Sequence, residues 1–246
     1  MHPLSAHQIL RIWDVGQGQP PIERALTLLA FVDPDKTRDE LASLTVGQRD
    51  AYLLKLRELT LGPQLNGVTQ CPQCGERLEF ELNAPNLYLI NPDHSPPANQ
   101  VLSIDAFEVQ FRLPNSWDLA AISTCSDTTT ADALLLQRCI LQASCEGAAV
   151  THQELPVDVV AQLTNQMVEA DPQAEIQLAL NCAACGHEWQ ALFDILSFFW
   201  AELVAQAKRL LQEVHTLARF YGWRESDILA MSARRRQSYL EMVTGN

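Results

Sequence analysis

Two short stretches constrain this chain more than anything else in it. One is TQCPQCGERLEFEL, which holds Cys71 and Cys74; the other is LALNCAACGHEWQALF, which holds Cys182 and Cys185. Each is a Cys-x-x-Cys-Gly knuckle set between residues that read as short strands. A two-residue gap lets both sulfurs of a knuckle face one metal ion, and the glycine that follows (Gly75, Gly186) permits the tight turn. Together the knuckles complete a four-thiolate tetrahedral set of the kind zinc takes. Residues 75–181 lie between them, so one shared ion would tie distant segments together. The rival reading is a redox dithiol, but that motif usually caps a helix after a strand. Here a strand is expected after each knuckle, which disfavours it. A closed set of four cysteines leaves no open coordination position, so the expected cofactor is a structural Zn2+ rather than a catalytic one.

The other candidate residues have plainer readings. Cys125, Cys139 and Cys145 read as small apolar residues of the interior. Cysteines in knuckles, with no disulfide framework, fit a reducing compartment. His187 follows the second knuckle and reads as a neighbour of the site rather than a ligand; His215 reads as a packed or solvated helix residue. Arg234, Arg235 and Arg236 read as a solvated helix face, with an acidic partner surface as the alternative. Aspartates and glutamates are scattered without a pair placed for acid–base work, and no P-loop, GxGxxG or GxSxG is present. No catalytic residue is assigned, and an enzyme is not expected.

Net charge is −13, which argues against a sequence-independent nucleic-acid binder. The charge is uneven: residues 198–246 carry seven Lys/Arg against five Asp/Glu, and the acidic excess lies upstream. The N-terminus lacks a charged region followed by an apolar run. The most apolar window, ALFDILSFFWAELVA, is broken by Asp194 and Glu202 and is too short to span a bilayer. The expectation is a cytoplasmic protein without membrane insertion.

In chain order, PPIERALTLLAF (20–31) reads as a helix with Pro21 in its first turn. GQGQPP (16–21) reads as a turn. Thr37 with Glu40, and Thr45 with Gln48, each fit a capping box, and the second opens a helix that Gly62 stops. Alternation predicts a strand at GERLEFEL. Residues 84–100 are rich in Pro and Asn and read as a loop, with one short strand over Leu87 to Ile90. FEVQFRL (107–113) reads as a strand, PNSWDLAAI as a helix capped by Asn115 or Ser116, and 130–142 as a helix. Another helix is expected from Pro156 to about Glu169, and EIQLAL as a strand. From Leu196 the apolar residues Leu196, Trp200, Leu203, Ala207, Leu210, Val214, Leu217 and Tyr221 alternate spacings of four and three. That is a heptad seam, for packing within the chain or for docking a partner helix. Gly222 suits its C-terminal cap. The tail reads as one or two short helices, with Ser226 or Asp227 as one cap and Ser232 as another. The fold class expected is α+β, mainly α-helical, with a small four-cysteine zinc ribbon formed by the two distant knuckles. The expected organisation is an N-terminal helical region (1–66), ribbon halves at 67–83 and 176–194, an inserted α/β module (84–175), and a C-terminal long helix with a helical tail (195–246).

WDVGQGQPPIERALTLLA, LTVGQRDAYLLKLRELTLG and CPQCGERLEFEL together resemble the T-even phage baseplate family, whose members are described as hub assembly chaperones. RLPNSWDLAAI, CAACGHEWQALFDILSFFW and EVHTLARFYGWRESDILAMSARRRQSYLEMV look like the branch found in phage-like contractile injection systems. The resemblance covers most of the chain, and only the knuckles in it carry specific chemistry. It implies a non-enzymatic assembly factor whose partners are hub or spike proteins of a contractile tail baseplate. Such a protein would be found in the cytoplasm, and in assembled particles if it stays there. A permanent structural baseplate component is the alternative within the family. A zinc-ribbon nucleic-acid-binding regulator is the alternative outside it, disfavoured by the acidity and by the few basic residues around the knuckles.

Overall fold

Local capping starts most of the helices. In the computed structural model, which describes residues 1–91 and 97–245, α1 (Ala6–Gly16) opens on a capping box of Ser5 and Gln8. The next helix, α2 (Pro21–Val32), has proline in its first turn. Capping boxes of Thr37 with Glu40 and Thr45 with Gln48 then open α3 (Arg38–Ser43) and α4 (Val46–Leu61). β1 (Gln64–Gln70) pairs antiparallel with β2 (Arg77–Asn83). A single 3₁₀ turn, Ala84–Leu87, follows.

A four-stranded antiparallel sheet, ordered β3-β4-β5-β6, forms the middle of the chain. Its strands are β3 (Gln100–Ile104), β4 (Phe107–Phe111), β5 (Ile140–Cys145) and β6 (Ala148–Ala149). Between β4 and β5 run α5 (Ser116–Ile122), capped by Asn115, and α6 (Thr128–Cys139), capped by Asp127. α7 (Val157–Ala170) follows the sheet. β7 (Gln177–Asn181) and β8 (Glu188–Leu192) form a second antiparallel hairpin. The chain ends with the long α8 (Ile195–Tyr221), α9 (Glu225–Leu229) and α10 (Ala233–Thr244). The fold is therefore α+β, dominated by helices, with small sheets.

The larger hydrophobic cluster centres on α8. Leu196, Leu203, Ala207, Leu210, Val214 and Leu217 of the heptad seam are buried in it, and Trp200 and Tyr221 pack against it. The seam is used within the chain, against α1, α4, α9 and α10. Gly16 lies so close to Trp200 that a β-carbon there would fall 2.2 Å from the indole ring. Gly222 ends α8 in the left-handed conformation (φ 68°), and Trp223 then stacks on Tyr221 with ring centroids 4.3 Å apart. Tyr239 meets both rings edge-on, which folds the tail back. A second cluster, Val109, Phe111, Leu113, Ala143, Leu155, Val159 and Leu163, sits between the four-stranded sheet and α7.

Three ties join this sheet-and-helix module to the start of α4. Val46 N–H donates to the Pro114 carbonyl (3.0 Å), Thr45 bridges to Asn115, and Gly47 N–H donates to Asp171 Oδ2 (2.8 Å). On the other side of α4, buried Arg57 spans three segments. It forms a bidentate pair with Glu202 on α8 and donates to the carbonyls of Gly62 and Gln64.

Several local expectations are corrected. Leu87 to Ile90 is not a strand. Leu87 closes the 3₁₀ turn, and the Gln173 side chain accepts from Leu89 N–H (2.7 Å) and donates to the Leu87 carbonyl (3.1 Å), so a side chain takes the place of a ladder. Residues 92–96 of the same stretch lie outside the described residues. The helix expected over 130–142 stops at Cys139, and Ile140 begins β5, because pairing with β4 completes the sheet. Residue 16, read as part of a turn, is the last residue of α1. Ser226 and Asp227 lie inside α9, whose N-cap is Arg224, whereas Ser232 does cap α10, its hydroxyl accepting from Arg235 N–H. Among the described residues no helix is long and apolar enough to cross a membrane.

Candidate metal centre

Each knuckle forms the turn of its hairpin, and the two turns are built alike. Cys71 N–H donates to the Glu76 carbonyl (2.9 Å) and Gly75 N–H to the Cys71 carbonyl (2.9 Å). In the second hairpin Cys182 N–H donates to the His187 carbonyl (2.9 Å) and Gly186 N–H to the Cys182 carbonyl (2.8 Å). Gly75 and Gly186 have φ of 75° and 72°, a conformation a β-carbon disfavours. The first cysteine of each pair is buried and the second exposed, so the cluster has a closed inner side and an open outer one. In the first hairpin the Phe80 ring covers its cross-strand partner Gly67; a β-carbon at 67 would fall 2.2 Å from the ring.

The four sulfurs converge although the knuckles are more than a hundred positions apart. Cys71 Sγ lies 3.7 Å from Cys185 Sγ, and Cys74 Sγ 3.6 Å from Cys182 Sγ. All four lie within 4.8 Å of one another. Thiolates about 2.3 Å from a tetrahedral metal stand about 3.8 Å apart, so the donor set fits such an ion. All four cysteines are free thiols.

The clustered thiols shift one another's acidity in opposite directions. Burial works to raise the Cys71 thiol, but the N–H groups of Cys74 and Gln73 and the neighbouring thiols outweigh it and hold it at about 7. The Glu76 N–H favours a thiolate at Cys74, yet burial and the thiols of Cys185, Cys182 and Cys71 push it up to about 12. Cys185 is also raised: the His187 N–H favours its thiolate, and burial with the thiols of Cys182 and Cys71 prevails. A divalent ion bound among these sulfurs would favour the thiolate form.

The structure brings the four predicted cysteines together, and among the described residues no other candidate's side chain joins the cluster. His187 stacks on Trp189 (centroids 5.8 Å apart), and His215 lies exposed on α8. Cys139 is buried, and burial pushes its thiol up to about 11. Cys125 and Cys145 are only half-buried, which corrects their reading as interior residues. The basic run divides: Arg234 and Arg235 are exposed, but Arg236 is buried, pairs with Glu213 (2.8 Å) and donates to the Met231 carbonyl (2.6 Å). Gly67 was the one local signal for the Phe80 contact, since glycine inside a strand pattern marks close approach. The Arg57–Glu202 pair, which braces the start of the first hairpin, has no local signal at all.

None of the curated proteins and none of the solved structures compared with the chain matches it. A family model described as "T4 bacteriophage base plate protein" matches residues 26–200, from α2 through the module and both knuckles into the first turns of α8. That match spans well over half of the sequence, and the chain belongs to the T4 bacteriophage base plate protein family.

Proposed function

We propose that this chain is a non-enzymatic, chaperone-like assembly factor for the hub or spike subunits of a phage tail or contractile injection system baseplate, with Cys71, Cys74, Cys182 and Cys185 holding one structural zinc ion. The observation that carries the reading is a four-thiol cluster inside the baseplate-family segment: four sulfurs within 4.8 Å of one another, joined by no further donor among the described residues. Four thiolates in a tetrahedron select zinc or iron among common metals. A closed shell leaves no position for substrate, which supports a role in folding rather than chemistry. The ion would fasten the two hairpins to each other and so fix the base of the module. The module and the helices would then present protein-binding surfaces. Family membership supports other baseplate proteins as the partners, and the resemblance in the helical segments supports hub assembly.

The test is mass spectrometry of the soluble complexes and of the purified particles from cells that produce the particle. An assembly factor is bound to a hub or spike subunit in the soluble pool and missing from finished particles. Presence in particles at fixed stoichiometry would make it a permanent baseplate component instead. Binding to neither would overturn both readings.

A further inference from the structure

One face of α7 is regular and exposed, and carries small and mostly apolar side chains. Val157, Ala161, Thr164 and Val168 recur at spacings of four, three and four, so they form one stripe about 17 Å long. All four are exposed, Val157 by 85% and Val168 by 48%, while Val159 and Leu163 on the opposite face fill the module core. At its C-terminal end the stripe runs into a cleft of about 370 Å³ between the module and the second hairpin. Leu119, Leu135, Met167 and Leu192 give that cleft its apolar wall, and Leu192 is 66% exposed.

The exposed charges on α7 and flanking it in sequence are acidic. Glu154, Asp158, Glu169 and Glu175 are exposed beside the stripe and the cleft, and no lysine or arginine lines the cleft. From residue 139 to residue 207 the sequence has nine Asp/Glu and no Lys/Arg. An acidic rim around an apolar stripe at helical spacing suits one kind of occupant: a helix whose own apolar stripe is flanked by Lys and Arg.

We infer that the α7 stripe and the adjoining cleft dock a basic amphipathic helix of a partner protein. That the partner is a baseplate subunit rests on the function proposed above; the chemistry of the surface does not.

The test uses the full chain with its metal and two labelled synthetic helices of the same apolar pattern, one Leu/Lys and one Leu/Glu, in fluorescence anisotropy. The Leu/Lys helix should bind at least tenfold more tightly than the Leu/Glu helix, and more weakly as salt rises. The double variant Val168→Ser, Leu192→Ser, both at exposed positions, should weaken it at least tenfold while melting and metal content stay unchanged. Equal affinity for the two helices, or for wild type and variant, overturns the inference. A dimer of the chain that the same variant dissolves would make a second copy the occupant and also overturn it. Co-expression with the baseplate subunits separates the two readings. A variant that captures a subunit as well as wild type does removes this face from the contact and leaves the proposed function standing. Wild type that captures none removes the proposed function, while the peptide result still judges the surface.

Discussion

Gly47 shows how much of this architecture depends on single contacts between distant positions. It stands in the first turn of α4, where its N–H meets the carboxylate of Asp171 from the end of α7. A β-carbon there would lie 1.9 Å from Asp171 Oδ1 and 2.9 Å from the Ala174 backbone nitrogen. Gly47→Ala should therefore cost about 2–3 kcal/mol, read as a lower denaturation midpoint, with Gly18→Ala as the control because it meets nothing. Asp118 is a second such residue: fully buried, it pairs with Arg112 (2.5 Å) and Arg138 (2.7 Å). Burial works to raise its carboxyl, and the two guanidinium groups and the Asn115 N–H outweigh that and hold it below the usual aspartate value. A carboxyl lowered by folding contributes stability above its unfolded pKa of about 4, and that stability is lost as pH falls through the folded value. Asp118→Asn should destabilise the protein by about 3 kcal/mol at pH 7. Its melting temperature should also fall less steeply than that of wild type between neutral pH and about pH 3; parallel profiles would remove Asp118 from the acid response. The cysteines were legible at this scale because chemistry fixes their spacing. Gly47, Asp118, Arg57 and Arg236 were not, since a buried charge and an exposed one look the same in a sequence when the partner is remote.

At the scale of elements, α8 is the clearest case of a pattern that predicts its own packing. Its four-and-three seam is the buried face, and adjacent positions differ as the periodicity requires: Leu210 is fully buried while Leu211 is 38% exposed. Leu210→Ala should cost about 2–5 kcal/mol in chemical denaturation, and Leu211→Ala far less. Comparable losses at the two positions would contradict the seam. Capping boxes marked the starts of α3 and α4 for the same reason, because the signal and the structure are both local. The box at Ser5 and Gln8 carries the same signal for α1. Elements settled by long-range pairing escaped such reasoning. β5 takes residues with helical spacing because β4 needs a neighbour, and the Leu87–Ile90 segment is held by Gln173 from far along the chain.

Over the whole molecule, the larger hydrophobic cluster takes in α4 and residues of both hairpins, the second cluster lies within the module, and the four thiols stand at the turns of the two hairpins. An ion at that point would close a loop of about a hundred residues, and binding energy at such a site is folding energy. Family membership fixes the setting as a baseplate protein, and the proposed assembly role needs the module held in one orientation for its partners. The most direct measurement is native mass spectrometry of the purified chain beside Cys71→Ser and Cys182→Ser. The shared clamp predicts one zinc ion per wild-type chain and none in either variant, each of which should also melt at lower temperature. Stoichiometric zinc retained by either variant, with wild-type melting, would contradict it.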